Sequence, residues 1–233
     1  MSCCLLCHAS IYEAMGWRTI FLPAKERLIC SSCEKKLERI EGETCRICNR
    51  PFALLDDKFR HGDICHDCLR WEEDPEWHGF LEKNTSIFHY NEFFKEIMAK
   101  YKYRGDYVLS KAFAEYFKEE LQKTKFDFYL PIPLSEERLY ERGFNQAEAL
   151  IKESGFTPAC ILTRIHSEKQ SKKSRTERIH FPQVFQLRSD IPLHGKRVVL
   201  IDDIYTTGSS LRHAAKRLKE AGAASVISVT LAR

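Results

Sequence analysis

Long hydrophobic runs are missing from this chain of 233 residues. No stretch approaches the roughly 18 consecutive apolar residues of a membrane-spanning helix, so the sequence predicts no transmembrane segment. Residues 1–17 also lack a basic start followed by an apolar run, and we therefore expect no signal peptide and a cytoplasmic location. Hydrophobic residues make up 43% and charged residues 30%, which excludes a collagen-like, disordered or disulfide-scaffold chain.

A strong net charge is absent as well. The formal charge of +4 is too small to predict nucleic-acid binding by itself. Its distribution is uneven, because six lysines and arginines between Arg164 and Arg178 stand against two glutamates, an excess equal to the whole net charge. We interpret this basic segment as a long loop that serves as a lid over a binding site, as a nucleic-acid contact, or only as a solvated surface.

Cysteine, in contrast, is abundant and clustered. Nine of the ten cysteines precede residue 70, and eight of them form four C-x-x-C pairs. The pairs are Cys4 with Cys7, Cys30 with Cys33, Cys45 with Cys48, and Cys65 with Cys68. Without an export signal these thiols are better explained as metal ligands than as disulfides, and eight thiolates suffice for two structural zinc sites. Such closed sites leave no coordination position for a substrate.

Alternatives to this assignment remain open at the level of sequence. Sequential and interleaved pairing of the C-x-x-C units use the same ligands. The sixteen residues between Cys48 and Cys65 favour sequential pairing, although the 22 between Cys7 and Cys30 are long for it. C-x-x-C pairs also occur as redox-active thiols, and the string that ends at His8 matches the haem-attachment pattern C-x-x-C-H. The lack of an export signal argues against haem.

The rest of the chain alternates strand and helix patterns. Strands are predicted at 86–90, 126–132, 159–164, 197–201 and 225–231, and helices at 94–101, 109–117, 146–153 and 209–221. This alternation predicts an α/β fold with a mostly parallel sheet and helices on both faces. We expect a Cys-rich zinc-binding module at 1–75 and a second domain at 85–233, with the boundary in the polar stretch 71–84.

The clearest functional signal follows the best strand in the chain. From Arg197 to Ser210 the sequence contains an apolar strand, two acids, a hydroxyl-rich loop and a helix start. Loop N–H groups and a helix N-terminus favour a phosphate, and Gly208 permits close backbone approach. Asp202 and Asp203 can accept hydrogen bonds from ribose hydroxyls or hold the water shell of Mg²⁺. The alternative to a ligand site is a helix cap preceded by solvated acids. That alternative must account for the two acids, the hydroxyl residues and the glycine together.

This string resembles the phosphoribosyl diphosphate (PRPP) signature of the type I phosphoribosyltransferases. With K-Y-R-G-D at 102–106, P-I-P-L at 131–134, R-G-F-N-Q at 142–146 and the Cys-rich start, the whole chain resembles the ComF family of late competence proteins. The resemblance implies a type I phosphoribosyltransferase fold behind a zinc module, in a protein required for natural transformation. The chain departs from the family pattern at His180, where relatives often have asparagine.

The resemblance also implies roles for individual residues. Asp202 and Asp203 would hold the ribose hydroxyls, with Mg²⁺ accompanying PRPP. The 5′-phosphate would be bound by Thr206, Thr207, Gly208, Ser209 and Ser210. The mechanism, and not the resemblance, suggests the remaining roles, because phosphoribosyl transfer needs the charge of the leaving diphosphate to be neutralised. Arg138 and Arg142 follow the strand that ends at Pro133 and are placed to meet the diphosphate. The basic segment would be a lid that brings Lys172, Lys173 or Arg175 over the site.

Three functions of different classes remain open. The chain is an enzyme that transfers phosphoribose from PRPP to an unidentified acceptor, a non-catalytic PRPP-binding module, or an adaptor for single-stranded DNA. The adaptor would use the basic segment and a face with Lys95, Lys100, Lys102 and Arg104. The family implies a ComFA-type helicase-like ATPase as partner, at the inner face of the cell membrane. The leading hypothesis is a competence protein that binds PRPP and assists internalisation of single-stranded DNA, with catalysis left open.

Overall fold

The computed structural model describes residues 2–11, 27–165, 184–188 and 191–233. The strands are β1 (Ser2–Cys3), β2 (Ser10–Ile11), β3 (Arg60–His61), β4 (Ile64–Cys65), β5 (Lys83–Phe88), β6 (Phe128–Pro131), β7 (Leu162–Arg164), β8 (Phe185–Leu187), β9 (Arg197–Ile204) and β10 (Ser225–Ala232). The α-helices are α1 (Ser31–Lys36), α2 (His66–Glu73), α3 (Glu92–Tyr103), α4 (Leu109–Gln122), α5 (Glu136–Arg142), α6 (Gln146–Glu153) and α7 (Ser209–Glu220).

A parallel sheet of four strands, in the order β5-β10-β9-β6, organises the fold. Its side chains alternate between two hydrophobic cores, as the period of a strand requires. Val199 and Ile201 belong to the core that includes α3, α4 and α6, whereas Val198 and Leu200 belong to the core that includes α7. The predicted α/β fold with a mostly parallel sheet and helices on both faces is therefore confirmed.

Two elements differ from the sequence prediction. The strand predicted at 159–164 touches β6 only through a bridge between Tyr129 and Pro158, and then pairs antiparallel with β8 as β7. The Ala159 N–H donates to the Tyr129 carbonyl at 2.8 Å, but the Ile161 N–H, which is next in line, donates to the Ala159 carbonyl at 2.9 Å, so the ladder beside β6 ends. Helix α5 is absent from the prediction because none of its residues is buried, so it carries no apolar periodicity.

The cysteine-rich segment contains two copies of one small unit, which we call the first cysteine unit (described residues 2–11 and 27–37) and the second cysteine unit (residues 44–73). In both, the residue after the first C-x-x-C pair has a left-handed backbone, with φ of 62° at His8 and 60° at Asn49. In both, the next C-x-x-C pair begins a helix, with Cys30 preceding α1 and Cys65 preceding α2. The repeat was not predicted from the sequence.

The two units lie against opposite faces of the sheet. Cys4 and Leu6 share the core of α3 and α4, whereas Cys45 and Cys48 share the core of α7. Between the units the chain passes the edge of β5, where the Ile40 N–H donates to the carbonyl oxygen of Ile87 at 3.0 Å. Among the described residues, buried side chains of each unit belong to the same hydrophobic cluster as one face of the sheet.

The end of α2 and the polar stretch after it run along α7 and form three ion pairs with that helix. These are Arg212 with Glu72 at 2.9 Å, Lys216 with Glu76 at 2.9 Å, and Lys219 with Glu82 at 2.6 Å. Trp77 lies buried between them, with its ring 4.4 Å from that of His213. Across the described ranges, no helix is both long enough and apolar enough to cross a membrane.

Candidate functional site

The two predicted acids lie at the carboxyl end of β9, the edge at which parallel sheets bind ligands. Strand alternation turns their side chains toward different faces. Asp203 faces α3, where its Oδ2 lies 2.9 Å from Nζ of Lys102 in an ion pair that is largely buried. Lys102, which the adaptor hypothesis places on a DNA-binding face, is in this structure the partner of the site's own carboxylate.

Asp202 is half-buried and has a different electrostatic environment. Burial and then the charge of Asp203 raise the pKa of Asp202 to about 7, against opposing effects of the Asp203 N–H, Lys102 and Arg142. Burial and then Arg138 lower the pKa of Arg164, against an opposing effect of Asp202. Arg142 and Arg164 therefore lie close enough to Asp202 to act on its charge, and Arg138 lies close to Arg164. Arg164 was not predicted as a site residue.

The loop after the acids packs against the side chain of Tyr205 at Gly208. Gly208 has φ of +76°, and a Cβ added there would lie 2.1 Å from the hydroxyl oxygen of buried Tyr205. Glycine is therefore required on two grounds, backbone conformation and space. Thr206 and Thr207 are exposed, and α7 begins directly after Gly208. The predicted hydroxyl-rich loop at a helix N-terminus is present as expected.

The R-G-F-N-Q segment joins three elements behind this site. Nη1 of Arg142 donates to Oε1 of Gln146 at 2.9 Å, and the Gln146 carbonyl accepts from the Tyr101 hydroxyl at 2.9 Å. Asn145 caps α6 and donates from Nδ2 to the carbonyl of Ile132 at 2.9 Å. Phe144 packs between Tyr101 and Tyr107. The segment therefore fixes the end of α3, and with it Lys102, next to the acids.

The remaining predicted cations are distributed unevenly. Arg138 is exposed on α5, and Arg142 at the end of that helix is half-buried. Lys172, Lys173 and Arg175 lie outside the described residues. Two more lysines of the face proposed for DNA binding also have partners. Nζ of Lys100 donates to the carbonyl of Leu6 at 3.3 Å, and Lys95 forms an ion pair with Glu92. That face is thus not a continuous row of solvated cations.

The eight paired cysteines form two groups of four, and in each group all sulfur atoms lie within 4.8 Å of one another. The groups are Cys4, Cys7, Cys30 and Cys33, and Cys45, Cys48, Cys65 and Cys68. Sequential pairing is therefore confirmed. Tetrahedral zinc with bonds of about 2.3 Å places neighbouring sulfurs about 3.8 Å apart. The distances of 3.8 Å from Cys7 to Cys30 and 3.6 Å from Cys48 to Cys65 fit this geometry.

Backbone donors also suit thiolates in both groups. The N–H of Cys30 lies 3.3 Å from Cys4 Sγ, and the N–H of Cys65 lies 3.3 Å from Cys45 Sγ. Burial raises the pKa of Cys4, but N–H groups of Cys30, Cys7 and Leu6 outweigh it and lower the pKa to about 7. Both groups can therefore hold zinc as closed structural centres, and neither offers an open position for a substrate.

Comparison with known proteins agrees with these features. A family model described as the phosphoribosyl transferase domain matches residues 141–233. Competence protein ComFC of Bacillus subtilis (strain 168) is 38% identical, over 99% of this chain and 94% of its own. Competence protein ComFC of Streptococcus pneumoniae (strain ATCC BAA-255 / R6) is 35% identical over 99% of each.

More distant proteins are similar over less of the chain. Competence protein F of Haemophilus influenzae is 26% identical, over 83% of this chain and 85% of its own. A solved hypoxanthine phosphoribosyltransferase from Staphylococcus aureus is 17% identical with a TM-score of 0.33, over 56% of this chain and 64% of its own. The two ComFC relatives confirm the family resemblance read from the motifs, and this chain belongs to the ComFC family of competence proteins.

Proposed function

We propose that this competence protein binds PRPP at the carboxyl end of β9 and assists the internalisation of single-stranded DNA during natural transformation. One arrangement carries the proposal: adjacent acids on a buried strand are followed by an exposed hydroxyl-rich loop whose glycine directly precedes α7. This arrangement offers carboxylates to ribose hydroxyls and backbone N–H groups to a 5′-phosphate. We expect the protein to work in the cytoplasm, beside a ComFA-type ATPase at the inner face of the membrane.

The charges around the acids suit the rest of PRPP. Asp202 and Asp203 would hold Mg²⁺ through its water shell, and the metal would neutralise part of the diphosphate. Arg142 and Arg164 interact electrostatically with Asp202, and Arg138 interacts with Arg164, so these three arginines would complete the neutralisation. Lys102 holds Asp203 in place before the ligand arrives, so the carboxylate does not need to be ordered during binding.

Calorimetric titration with PRPP and Mg²⁺ tests the site. In the double variant Asp202→Asn, Asp203→Asn, the ribose hydroxyls lose their charged acceptors, at a cost of about 1 to 3 kcal/mol or roughly 5- to 150-fold in affinity. Asp127→Asn is the matched control, since the Asp127 carboxylate accepts from the N–H of Arg197, the first residue of β9, at the end of the strand opposite the acids. Unchanged affinity in the double variant would refute the site.

The same protein can test the enzymatic alternative. Arginines beside the acids would also stabilise diphosphate as a leaving group, which a phosphoribosyl transfer requires. A screen for PRPP-dependent pyrophosphate release, with nucleobases and single-stranded DNA as acceptors, should show no release above the double variant if the site only binds PRPP. Release that needs a particular acceptor would establish the transferase.

The DNA part of the proposal rests on the basic segment. Neutralising Lys172, Lys173 and Arg175 together should weaken binding of a labelled oligonucleotide and make its salt slope shallower by about 0.7 per lost phosphate contact. The control neutralises the exposed residues Lys111, Lys118 and Lys125. Loss of PRPP affinity with an unchanged salt slope would instead make the segment a lid, and no change in either assay would leave a solvated loop.

A further inference from the structure

The second cysteine unit contacts both ends of the loop at residues 205–210, which we call the phosphate loop. At the far end, the backbone N–H of Arg212 donates to the carbonyl of Gly208 at 2.9 Å. The Arg212 side chain is fully buried and reaches into the second unit. Its Nη1 lies 2.9 Å from Oε1 of Glu72, its Nη2 lies 3.8 Å from Sγ of Cys68, and its guanidinium stacks 5.1 Å from the ring of Trp71.

At the near end, Tyr205 makes the second connection. Its hydroxyl lies directly beneath Gly208, at the position that a side chain there would occupy. The guanidinium of Arg233 lies 4.5 Å from the centre of the Tyr205 ring, and Nη1 of Arg233 donates to the carbonyl of Cys48 at 3.3 Å. The phosphate loop is thus supported from both sides by arginines whose other contacts are a ligand sulfur and a ligand-residue carbonyl.

A metal in the second unit would fix both of these anchor points. Four thiolates on one Zn²⁺ carry a net charge of −2, which stabilises the nearby cations Arg212 and Arg233. Metal coordination also holds Cys68 Sγ and the turn that carries the Cys48 carbonyl in single positions. Release of the metal frees both groups and so loosens the support of the loop.

We propose that Arg212 and Arg233 are positioning residues that couple metal in the second cysteine unit to ligand binding at the phosphate loop. The proposal rests on the proposed function of that loop as the PRPP site. Coupling between two sites is reciprocal, so PRPP must retain the second metal as strongly as that metal favours PRPP. The first cysteine unit contacts α3 instead, through Leu6 and Lys100, and serves as the internal reference.

Zinc release to a chromogenic chelator measures this coupling. In wild-type protein, PRPP with Mg²⁺ should raise the chelator concentration that removes one zinc ion at equilibrium by about 5- to 150-fold and leave the other unchanged. Cys7→Ser removes a ligand of the first unit and should retain the PRPP-sensitive ion. Arg212→Met should abolish the PRPP effect, and Arg212→Lys should restore only part of it, because lysine can pair with Glu72 but has no second donor arm for Cys68.

Lys219→Met is the matched control for Arg212→Met. It removes an ion pair between α7 and Glu82 without touching the second unit, so the PRPP effect should remain. If Arg212→Met does not fold, Glu72→Gln and the wild-type measurements still test the proposal. Cobalt substitution adds a spectroscopic signature, since PRPP should shift the thiolate-to-cobalt absorption of the second unit in wild-type protein and shift it less in Arg212→Lys.

Hydrogen exchange supplies a measurement that needs no PRPP. Removing zinc from wild-type protein should increase exchange at residues 205–212 by at least about tenfold, and re-addition of zinc should reverse it. Loop exchange that does not follow the metal, together with PRPP-independent zinc release in a protein that binds PRPP, would overturn the coupling and leave the proposed function intact. Zinc-dependent loop exchange in a protein that does not bind PRPP would support the link and refute the proposed function.

Discussion

In the first cysteine unit Cys7 is exposed and Cys30 half-buried, whereas all four cysteines of the second unit are buried. The two units have the same turn, the same N–H to sulfur contact and the same helix start, so local structure does not explain the difference. Their surroundings do. The second unit is enclosed between β5 and the α7 side of the sheet, where Asn84 N–H donates to the Ile47 carbonyl, while the first lies on α3 and α4.

This comparison divides the candidate site into two halves. The second unit supports the phosphate loop through Arg212 and Arg233, and the first unit contacts α3, the helix that carries Lys102 to Asp203. The two copies of this unit thus contact different parts of the candidate site, because they lie on opposite faces of the sheet. Variants on each side should separate these roles.

The largest effect is expected from loss of a ligand in each unit. Wild-type protein should contain about two zinc ions per chain, and Cys68→Ser should lose one and be destabilised by roughly 3 to 5 kcal/mol, because Arg212 loses a buried partner. Cys7→Ser should also lose one zinc ion but cost only about 1 to 2 kcal/mol, since its site is partly solvated. Metal analysis and denaturant unfolding measure both. Equal destabilisation would contradict the division, and one zinc ion in wild-type protein would refute the two centres.

A smaller effect is expected from Gly208→Ala. The left-handed backbone and the contact with Tyr205 should together cost about 2 to 4 kcal/mol and lower PRPP affinity at least about tenfold. Gly195→Ala is the matched control, because Gly195 has φ of +72° but no atom within 4 Å of the added Cβ. It should cost only about 1 to 2 kcal/mol and spare ligand binding. Equal losses of stability in thermal unfolding and of PRPP affinity in calorimetry for the two variants would contradict a special role of Gly208.

On the other half of the site, Lys102→Met should cost about 1 to 3 kcal/mol, because the largely buried carboxylate of Asp203 is left unpaired beside Asp202. Lys95→Met removes the exposed pair with Glu92 on the same helix and should cost less than about 0.5 kcal/mol. Urea unfolding curves of the two variants give the comparison. A cost for Lys102→Met as small as that of the control would show that Asp203 does not need its partner.

The smallest effect concerns pH. The pKa of Asp202, about 7, lies above its unfolded value of about 3.9, so the folded state binds more protons between these pH values and this residue lowers stability as pH rises through that window. Asp202→Asn should therefore be more stable than wild type by about 1 kcal/mol at pH 8, after allowance for solvent, and equal to it near pH 4. Thermal unfolding at both pH values tests this.

Asp127→Asn should show the opposite sign. Its pKa is lowered by the Arg197 N–H and then by Lys196, so the wild-type carboxylate stabilises the fold above the unfolded pKa and the variant should be less stable at pH 8. A gain at pH 8 in both variants would indicate a general charge effect and contradict the assignment to Asp202.

Elements with strong local signals were predicted well. Helix α6 has the predicted bounds, and β9 and α7 agree within a few residues, because apolar periodicity and flanking glycine or polar residues mark them. The four C-x-x-C pairs also indicated their own grouping. Helix α5 was missed, because none of its residues is buried. The β7–β8 pair was misplaced, because β7 depends on a partner strand more than 20 residues away.

The tandem repeat carried only a weak signal, namely C-x-x-C followed by His8 in one copy and Asn49 in the other. Either residue tolerates a left-handed backbone, but the shared turn is visible only once both φ values are known. The sequence did not mark Arg164 as a site residue, because it is one of six cations in the basic segment, which as a whole was interpreted as a loop.

The sequence by itself determined the chemistry of this protein: eight thiols in four pairs, two acids after an apolar strand, and a glycine-containing hydroxyl loop before a helix. Tertiary structure decided which charges meet. Lys102 is about a hundred residues from Asp203, and Arg212 is 144 residues from Cys68, yet both pairs are in contact. No periodicity records such contacts, because they arise from strand order and from which face of the sheet each unit covers.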